Sequence, residues 1–174
     1  MAYTTIDNPA LFFNTVLYTG NGSTQSVTGV GFQPDWVWIK KRNNAAGGVI
    51  SDTVRGAGKV LYPSETNAEG SESASFVSFD SDGYTISQDA GVGLNVNSHT
   101  YVGWNWKKTA TAGFDIVSYT GDTNSQQVLS HNLGSDPGMV LIKSTNTAGT
   151  SSVSYTHLRA HETLRYLVCR LLLE

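Results

Sequence analysis

The feature that most constrains the fold of this chain is an internal repeat of about 100 residues. The octapeptide FNTVLYTG at residues 13–20 is matched by FDIVSYTG at residues 114–121, an offset of 101. The octapeptide QPDWVWIK at residues 33–40 is matched by DPGMVLIK at residues 136–143, an offset of 103. This period is far longer than a solenoid repeat and is typical of a whole β-domain.

The repeat divides the chain into units. Residues 1–12 form an N-terminal segment, residues 13–108 a complete first unit and residues 109–113 a linker. The second unit, residues 114–152, is truncated, so we expect the natural protein to continue and this chain to be a fragment. Two or three strands cannot bury an apolar face alone. The second unit must therefore pack on the first, remain disordered, or expose an edge.

The last 22 residues differ in composition from everything before them. Residues 153–174 contain no glycine, whereas all 18 glycines precede them, and they hold six leucines and the only cysteine, Cys169. The spacing of Leu164, Leu167, Val168 and Leu171 predicts an amphipathic helix. The strings VSYTHLRAHET at 153–163 and LVCRLLLE at 167–174 resemble a translated DNA-sequencing adapter. We interpret residues 153–174 as a non-native tail and exclude them from functional reasoning.

Composition excludes several functional classes. The full chain has 11 basic and 14 acidic residues, and without the tail 8 and 12 remain, a net charge of −4, so there is no basic footprint for nucleic acid. No apolar run is long enough for a membrane span, and residues 1–12 show no basic segment followed by an apolar one, so a secretory signal is not expected. Without Cys169 there is no disulfide, thiolate metal site or cysteine nucleophile. We therefore expect no cofactor and no metal.

Turn chemistry and alternating apolar residues predict about seven strands in the first unit. The predicted strands are 14–19, 24–28, 36–39, 49–54, 74–79, 84–87 and 101–106, with a long polar loop at 62–73. In the run at 74–79, alternation places Phe76 and Ser78 on one face and Val77 and Phe79 on the other. These strands, with no convincing helix in the unit, predict an all-β antiparallel sandwich or jelly roll.

Two tryptophan pairs, Trp36/Trp38 and Trp104/Trp106, share strand faces because their members lie two residues apart. They form either an aromatic platform for sugar rings or part of a sandwich core. In the second unit, methionine and leucine replace Trp36 and Trp38, and a core tolerates this change whereas a platform of flat rings does not. We therefore predict that the tryptophans fill the core.

The carboxylates do not form a convincing catalytic grouping. Residues 80–83 (DSDG) resemble the start of a calcium loop, but the rest of that pattern is missing, so we predict a hairpin turn. Glu65, Glu69 and Glu72 cluster in the polar loop and are interpreted as a solvated surface, because acid–base catalysis needs rigid placement. We therefore predict no catalytic residues.

The remaining polar motifs are weaker. His99 and His131 stand apart from any serine or cysteine pattern that would suggest a triad. The motif GVG at residues 29–31 precedes a strand, not a helix, so it does not fit a nucleotide-binding loop. Asp52 and Arg55 are expected to form a local ion pair at a strand end. No ligand-binding residue is assigned from the sequence.

Several motifs resemble a family of bacteriophage tail-associated structural proteins. The matching strings are MAYTTIDNP at 1–9, YTGNG at 18–22, VGFQPDWVWIK at 30–40, DTVRG at 52–56 and YVGWNWK at 101–107. The resemblance covers residues 1–152. It implies a concanavalin-like (lectin or glucanase-type) jelly roll in tandem repeats, and the family has no assigned catalytic or ligand residues.

The resemblance implies a non-enzymatic virion module of a tail fibre or similar appendage. Its partners would be other virion proteins, with host-surface carbohydrate as an open addition, and it would act as a homo-oligomer in the virion tail after synthesis in the host cytoplasm. Neither nucleic acid nor membrane insertion is expected. Two alternatives stay open: a glycan-cleaving enzyme on the same scaffold, and a ligand-free spacer in a fibre.

Overall fold

The chain is built almost entirely from short antiparallel strands. The computed structural model describes residues 6–88, 91–122 and 126–146, together with the backbone of residues 153–156. This part contains a short 3-10 helix at Pro9–Leu11, no α-helix, and eleven strands. These are β1 (Phe13–Thr19), β2 (Gln25–Thr28), β3 (Trp36–Lys41), β4 (Val49–Asp52), β5 (Lys59–Val60), β6 (Gly70–Ser71), β7 (Phe76–Asp80), β8 (Gly83–Ile86), β9 (Thr100–Trp106), β10 (Met139–Ile142) and β11 (Val153–Thr156).

Two antiparallel sheets form the first unit. One has the strand order β1-β9-β3-β4 and the other the order β2-β8-β7. The short ribbon of β5 and β6 joins the first sheet at β4, where Ile50 and Leu61 exchange backbone hydrogen bonds. The predicted all-β antiparallel sandwich is confirmed, and its architecture fits a jelly roll. Each of the seven predicted strands is present, because turn residues separate them in the sequence.

The interior between the sheets is filled mainly by β-branched residues and by four buried aromatic rings that are not tryptophan, those of Phe32, Phe76, Tyr84 and Tyr101. Phe76, Tyr84 and Tyr101 are almost completely buried and supply most of the large volume. On β3, Val37 and Ile39 point inward, whereas the intervening Trp36 and Trp38 are only half-buried. The prediction that the tryptophans fill the core is therefore wrong. They lie on the outer face of the four-stranded sheet.

The strand β7 departs from simple alternation. A β-bulge between Phe76 and Ser78 adds a residue opposite β8, which shifts the side chains that follow it. Phe79 consequently packs against the core beside Phe76, with ring centroids 4.8 Å apart, and Val77 is exposed. The prediction that Phe79 shares a face with Val77 is wrong for this reason.

Asp115 makes hydrogen bonds in the second unit that resemble those of Asn14 in the first unit. Each side chain accepts a hydrogen bond from the N–H of the residue that follows it. The Asn14 amide also donates to the carbonyl of Val30 at 3.0 Å, and the Asp115 carboxylate accepts from the N–H of Asn132 at 2.7 Å. Because Asn132 occupies the place that residues 29–30 take in the first unit, these contacts support the repeat.

The second unit packs on the first at two places. Phe114 lies against Trp36 and Trp106, with ring centroids 5.8 and 6.2 Å away. Beside the β5–β6 ribbon, the N–H of Glu69 donates to the carbonyl of Thr145 at 2.9 Å. Of the alternatives for the second unit, packing on the first is therefore observed in the described residues.

The start of the tail is a strand. Val153–Thr156 pairs with β10, so the expected helix does not begin at these four residues. The leucines whose spacing predicts the helix lie outside the described residues. The prediction that residues 153–174 are a non-native tail stays a prediction.

Candidate functional site

The outer face of the four-stranded sheet carries a layer of aromatic rings. Trp36 pairs with Trp106 across β3 and β9, and Trp38 pairs with Trp104, so the four indoles form two cross-strand pairs. The ring centroids in these pairs are 4.5 and 5.5 Å apart. Phe13 packs on Trp106 from β1 at 4.6 Å. We call Phe13, the four tryptophans and Phe114 the aromatic layer.

Most neighbouring rings of the aromatic layer meet at steep angles, and Trp106 and Phe114 are stacked at 28°. The planes of Trp36 and Trp106 are inclined by 67°, and those of Trp38 and Trp104 by 58°. Edge-to-face packing of this kind stabilises the rings against one another. A sugar platform needs an open ring face, and Trp36 already contacts three other rings of the layer, Trp38, Trp106 and Phe114. The aromatic layer is best described as a packing surface between the two units, because Phe114 of the second unit contacts Trp36 and Trp106.

A small polar depression opens beside this sheet. Its volume is about 270 Å³, and it lies between the loop after β3, the loop before β6 and the turn at residues 91–92. Its floor and walls include Gly47, Gly48, Tyr62, Glu65, Asn67 and Glu72. A Cβ atom at Gly48 would lie 2.5 Å from the indole nitrogen of Trp38, so the floor rests directly on the aromatic layer.

The three clustered glutamates are separated by the structure. Glu65 and Glu72 both line the depression, where Glu72 accepts from the Tyr62 hydroxyl at 3.3 Å and Glu65 accepts from the Asn67 amide. Glu69 turns away toward Arg55 and Lys59. Glu65 is exposed, as the interpretation of a solvated surface expects, whereas Glu72 is partly buried and Glu69 is held in an ion cluster.

The depression is lined by two carboxylates, an amide and a tyrosine hydroxyl. Its volume is below the roughly 300–1,000 Å³ of pockets that enclose drug-sized molecules. Carboxylates accept hydrogen bonds, an amide both donates and accepts, and a tyrosine adds an apolar ring face with a polar tip. Sequence reasoning missed Tyr62, Asn67 and the glycine floor. Only the adjacent glycines at 47 and 48 hinted at a close backbone approach.

Arg55 is the centre of a buried ion cluster. Its Nε donates to Asp52 at 2.6 Å and its Nη1 to Glu69 at 3.2 Å. The Asp52 carboxylate also accepts from the N–H groups of Val54 and Arg55, so it caps the turn after β4. The expected Asp52–Arg55 ion pair is confirmed. All these groups are engaged with one another, so the cluster is structural.

The DSDG segment is a hairpin turn, as predicted. Asp80 pairs with Gly83, and two residues connect β7 to β8. The Asp82 carboxylate accepts from the N–H groups of Gly29 and Gly31, at 3.1 and 2.6 Å. Both glycines have positive φ, which turns their N–H groups toward one anion. The GVG motif therefore binds a carboxylate of its own chain.

The Asp82 contact predicts a pH-dependent stability difference. Hydrogen bonds from the backbone of Gly31 and then Gly29 lower the pKa of Asp82 in the folded state. Its stabilisation should be fully present above the unfolded pKa of about 3.9 and be lost as the pH falls through the lower folded value. In thermal melts, Asp82→Asn should lower Tm at pH 7, and the gap should close in strong acid. A gap that is unchanged at every pH would contradict this.

The two histidines lie apart. The His99 Nδ1 is buried in the turn before β9, and the His131 Nδ1 accepts from the N–H of Leu133 at 3.3 Å in the second unit. Among the described residues, no group of three His, Cys, Asp or Glu side chains is arranged to hold a metal ion. No helix in this part of the chain is long and apolar enough to cross a membrane.

The fold places this protein among the all-β antiparallel sandwiches, with a polar depression beside an aromatic layer. The model of a domain of unknown function (DUF7483) matches residues 8–168, so the chain belongs to the DUF7483 family. No curated protein and no solved structure matches the chain. The family match runs through both units and through residues 153–168, which are most of the predicted tail, and the boundaries proposed from the repeat stay predictions.

Proposed function

We propose that this protein is a non-enzymatic module of a bacteriophage tail appendage that contacts host-surface glycan at the polar depression. Resemblance of the motifs at 18–22, 30–40 and 101–107 to phage structural proteins supports the location. The observation that carries the binding site is the convergence of Glu65, Glu72 and their donors over a glycine floor. In this proposal the partners are other virion proteins and host carbohydrate, within a homo-oligomer.

A glycan array probed with the purified chain tests the binding site. We expect selective binding to at least one glycan class. Glu65→Gln should weaken it about tenfold, because a hydrogen bond to a charged acceptor contributes about 1.5–3 kcal/mol. Asp7→Asn is the matched control, since it removes the same charge from an exposed residue outside the depression. A silent array, or equal binding by both variants, would remove the glycan site and leave the structural role.

The location has its own test. Recovery of the full-length gene with its neighbours should show virion tail genes on either side. Mass spectrometry of the purified particles should then detect peptides from residues 13–152. A gene that lies among metabolic genes, with no peptide in any particle, would contradict the virion location without bearing on the depression.

A glycan-cleaving enzyme is the second candidate, because Glu65 and Glu72 share the depression. Glycosidases use two carboxyl groups on either side of the scissile bond. In this alternative the pair would be Glu65 and Glu72, since Glu69 is held by Arg55. Release of reducing ends from a bound glycan, abolished by Glu72→Gln, would favour the enzyme. Binding without any release favours the non-enzymatic module.

A further inference from the structure

The loop that follows β1 contains Asn21-Gly22, the only place in the sequence where an asparagine precedes a glycine. In such a dipeptide the backbone nitrogen of glycine can attack the side-chain carbonyl carbon of asparagine, because glycine has no Cβ atom to hinder the approach. A five-membered succinimide ring forms and ammonia leaves. Water then opens the ring at either carbonyl, which gives an aspartyl or an isoaspartyl residue. The reaction exchanges an amide for a carboxylate and needs only water.

Water has free access to this dipeptide. Asn21 and Gly22 are both exposed at the surface, as is Ser23, which follows them. Gly22 has a φ of +72°, a conformation that glycine adopts without strain. Solvent therefore does not limit the reaction. Its rate depends on how the side-chain amide of Asn21 and the backbone nitrogen of Gly22 are held.

Asn95 binds both of the groups that would react. Its Nδ2 donates to the Oδ1 of Asn21 at 2.8 Å, and its Oδ1 accepts from the N–H of Asn21 at 3.0 Å. Its backbone carbonyl accepts from the N–H of Gly22 at 2.9 Å. Its Nδ2 also donates to the carbonyl of Ser23, whose N–H donates to the Oδ1 of Asn21 at 2.9 Å. The Asn21 amide and the Gly22 nitrogen are therefore each fixed by hydrogen bonds.

Asn95 is itself held in place. It is completely buried, and the turn that follows it is bonded back to the end of β1. The N–H of Gly20 donates to the carbonyl of His99 at 2.8 Å, and the N–H of Ser98 donates to the carbonyl of Gly20 at 2.9 Å. A Cβ atom at Gly20 would overlap the carbonyl of Val96, so the two segments are in direct contact. The reacting atoms can therefore meet only when this part of the chain opens locally.

We propose that Asn21 is a deamidation site that Asn95 keeps unreactive in the folded protein. When the segments separate, the Gly22 nitrogen gives its proton to solvent base, bonds to the Cγ of Asn21 and expels ammonia. Hydrolysis leaves a carboxylate, and the isoaspartyl product carries an additional carbon in the backbone. That carbon displaces the Gly22 N–H from the Asn95 carbonyl, so the reaction loosens the contact between the end of β1 and the turn before β9. The proposal is independent of the polar depression and of the virion location.

Peptide mapping by mass spectrometry, after incubation of the full chain at mildly alkaline pH, measures conversion at Asn21. Asn95→Ala removes the three hydrogen bonds of the Asn95 side chain and should accelerate conversion at least about tenfold, because local opening becomes more frequent. Asn97→Ala is the matched control, since it removes the same amide from an exposed residue of the same turn that does not bind residues 21–23 through its side chain. That variant should convert as slowly as the unmodified chain.

The unmodified chain in urea gives the rate without any folded structure, and it should exceed the folded rate at least about tenfold. Equal rates in the folded and unfolded chain would overturn the proposal, as would an Asn95→Ala variant that keeps its β-structure by circular dichroism and converts at the unmodified rate. If Asn95→Ala does not fold, hydrogen exchange of the unmodified chain decides. The Gly22 N–H should exchange at least about tenfold more slowly than in the unfolded chain, and unprotected exchange would contradict the role of Asn95.

Discussion

Replacement of Arg55 by methionine should destabilise the fold by about 3–5 kcal/mol. The Arg55 side chain is only 9% exposed and bonds to Asp52, which is 4% exposed, and to Glu69. Its Nη2 also donates to the carbonyl of Ile50 at 3.3 Å. Methionine keeps much of the volume but leaves a buried carboxylate without its cation, and an uncompensated buried charge is costly. Urea unfolding monitored by tryptophan fluorescence measures the loss.

Lys59→Met is the matched control for Arg55. The Lys59 ammonium also reaches Glu69, at 3.5 Å, but its side chain is 43% exposed. Exposed ion pairs contribute about 0–1 kcal/mol because water screens them. The two substitutions remove the same charge from the same cluster and should differ by several-fold in unfolding free energy. Similar losses in both variants would show that the cluster is solvated and that burial of Asp52 does not govern its energetics.

The strand order along the chain could be predicted because its signals are local. Turn residues such as the glycine-rich segment at 20–23 and the Asp-Gly pair at 82–83 end strands by their own conformational preferences. Sheet partners are not local. Pairing of β1 with β9 joins residues almost 90 positions apart, and no spacing rule in the sequence specifies it.

The prediction of which face of the four-stranded sheet is buried is wrong, because it assumed that the more apolar face lies in the core. On β9 one face carries Val102, Trp104 and Trp106, and the other carries Tyr101, Gly103 and Asn105. The first face is the more apolar, yet the second is the buried one. The amide nitrogen of Asn105 donates there to two backbone carbonyls, whereas its Oδ1 is buried without a hydrogen-bond partner among the described residues. The apolar outer face is covered in part by Phe114, a contact that depends on the tertiary fold.

The candidate site could be predicted only as a cluster of acids. The loop at 62–73 is polar, and nothing in its sequence indicates that Glu65 and Glu72 turn toward one side while Glu69 turns toward Arg55. The different orientations of these glutamates depend on Arg55, a buried cation in the turn after β4, and on Gly47 and Gly48, which precede β4. Both lie outside the loop, so local reasoning could not assign them.

Gly103→Ala should destabilise the fold by about 1–3 kcal/mol, although alanine usually suits a strand interior better than glycine by about 0.5–1 kcal/mol. A Cβ atom at Gly103 would overlap the hydroxyl oxygen of Tyr84 and lie 3.4 Å from Val16. Tyr84 is completely buried, so its ring cannot move aside without disturbing the core. The steric cost therefore exceeds the gain in strand preference. Urea unfolding curves of the two proteins measure the difference.

Tyr84→Phe should rescue Gly103→Ala, because it removes the overlapping oxygen. The Tyr84 hydroxyl is buried and has no hydrogen-bond partner among the described residues, so its removal alone should be neutral or stabilising by up to about 1 kcal/mol. Tyr101→Phe is the matched control, since the Tyr101 hydroxyl donates to the carbonyl of Gly93 and accepts from the N–H of Val96. That variant should lose about 0.5–1.5 kcal/mol and rescue nothing. Additive effects of Gly103→Ala and Tyr84→Phe in a double-mutant cycle would mean that the tyrosine hydroxyl does not fill the space that glycine leaves.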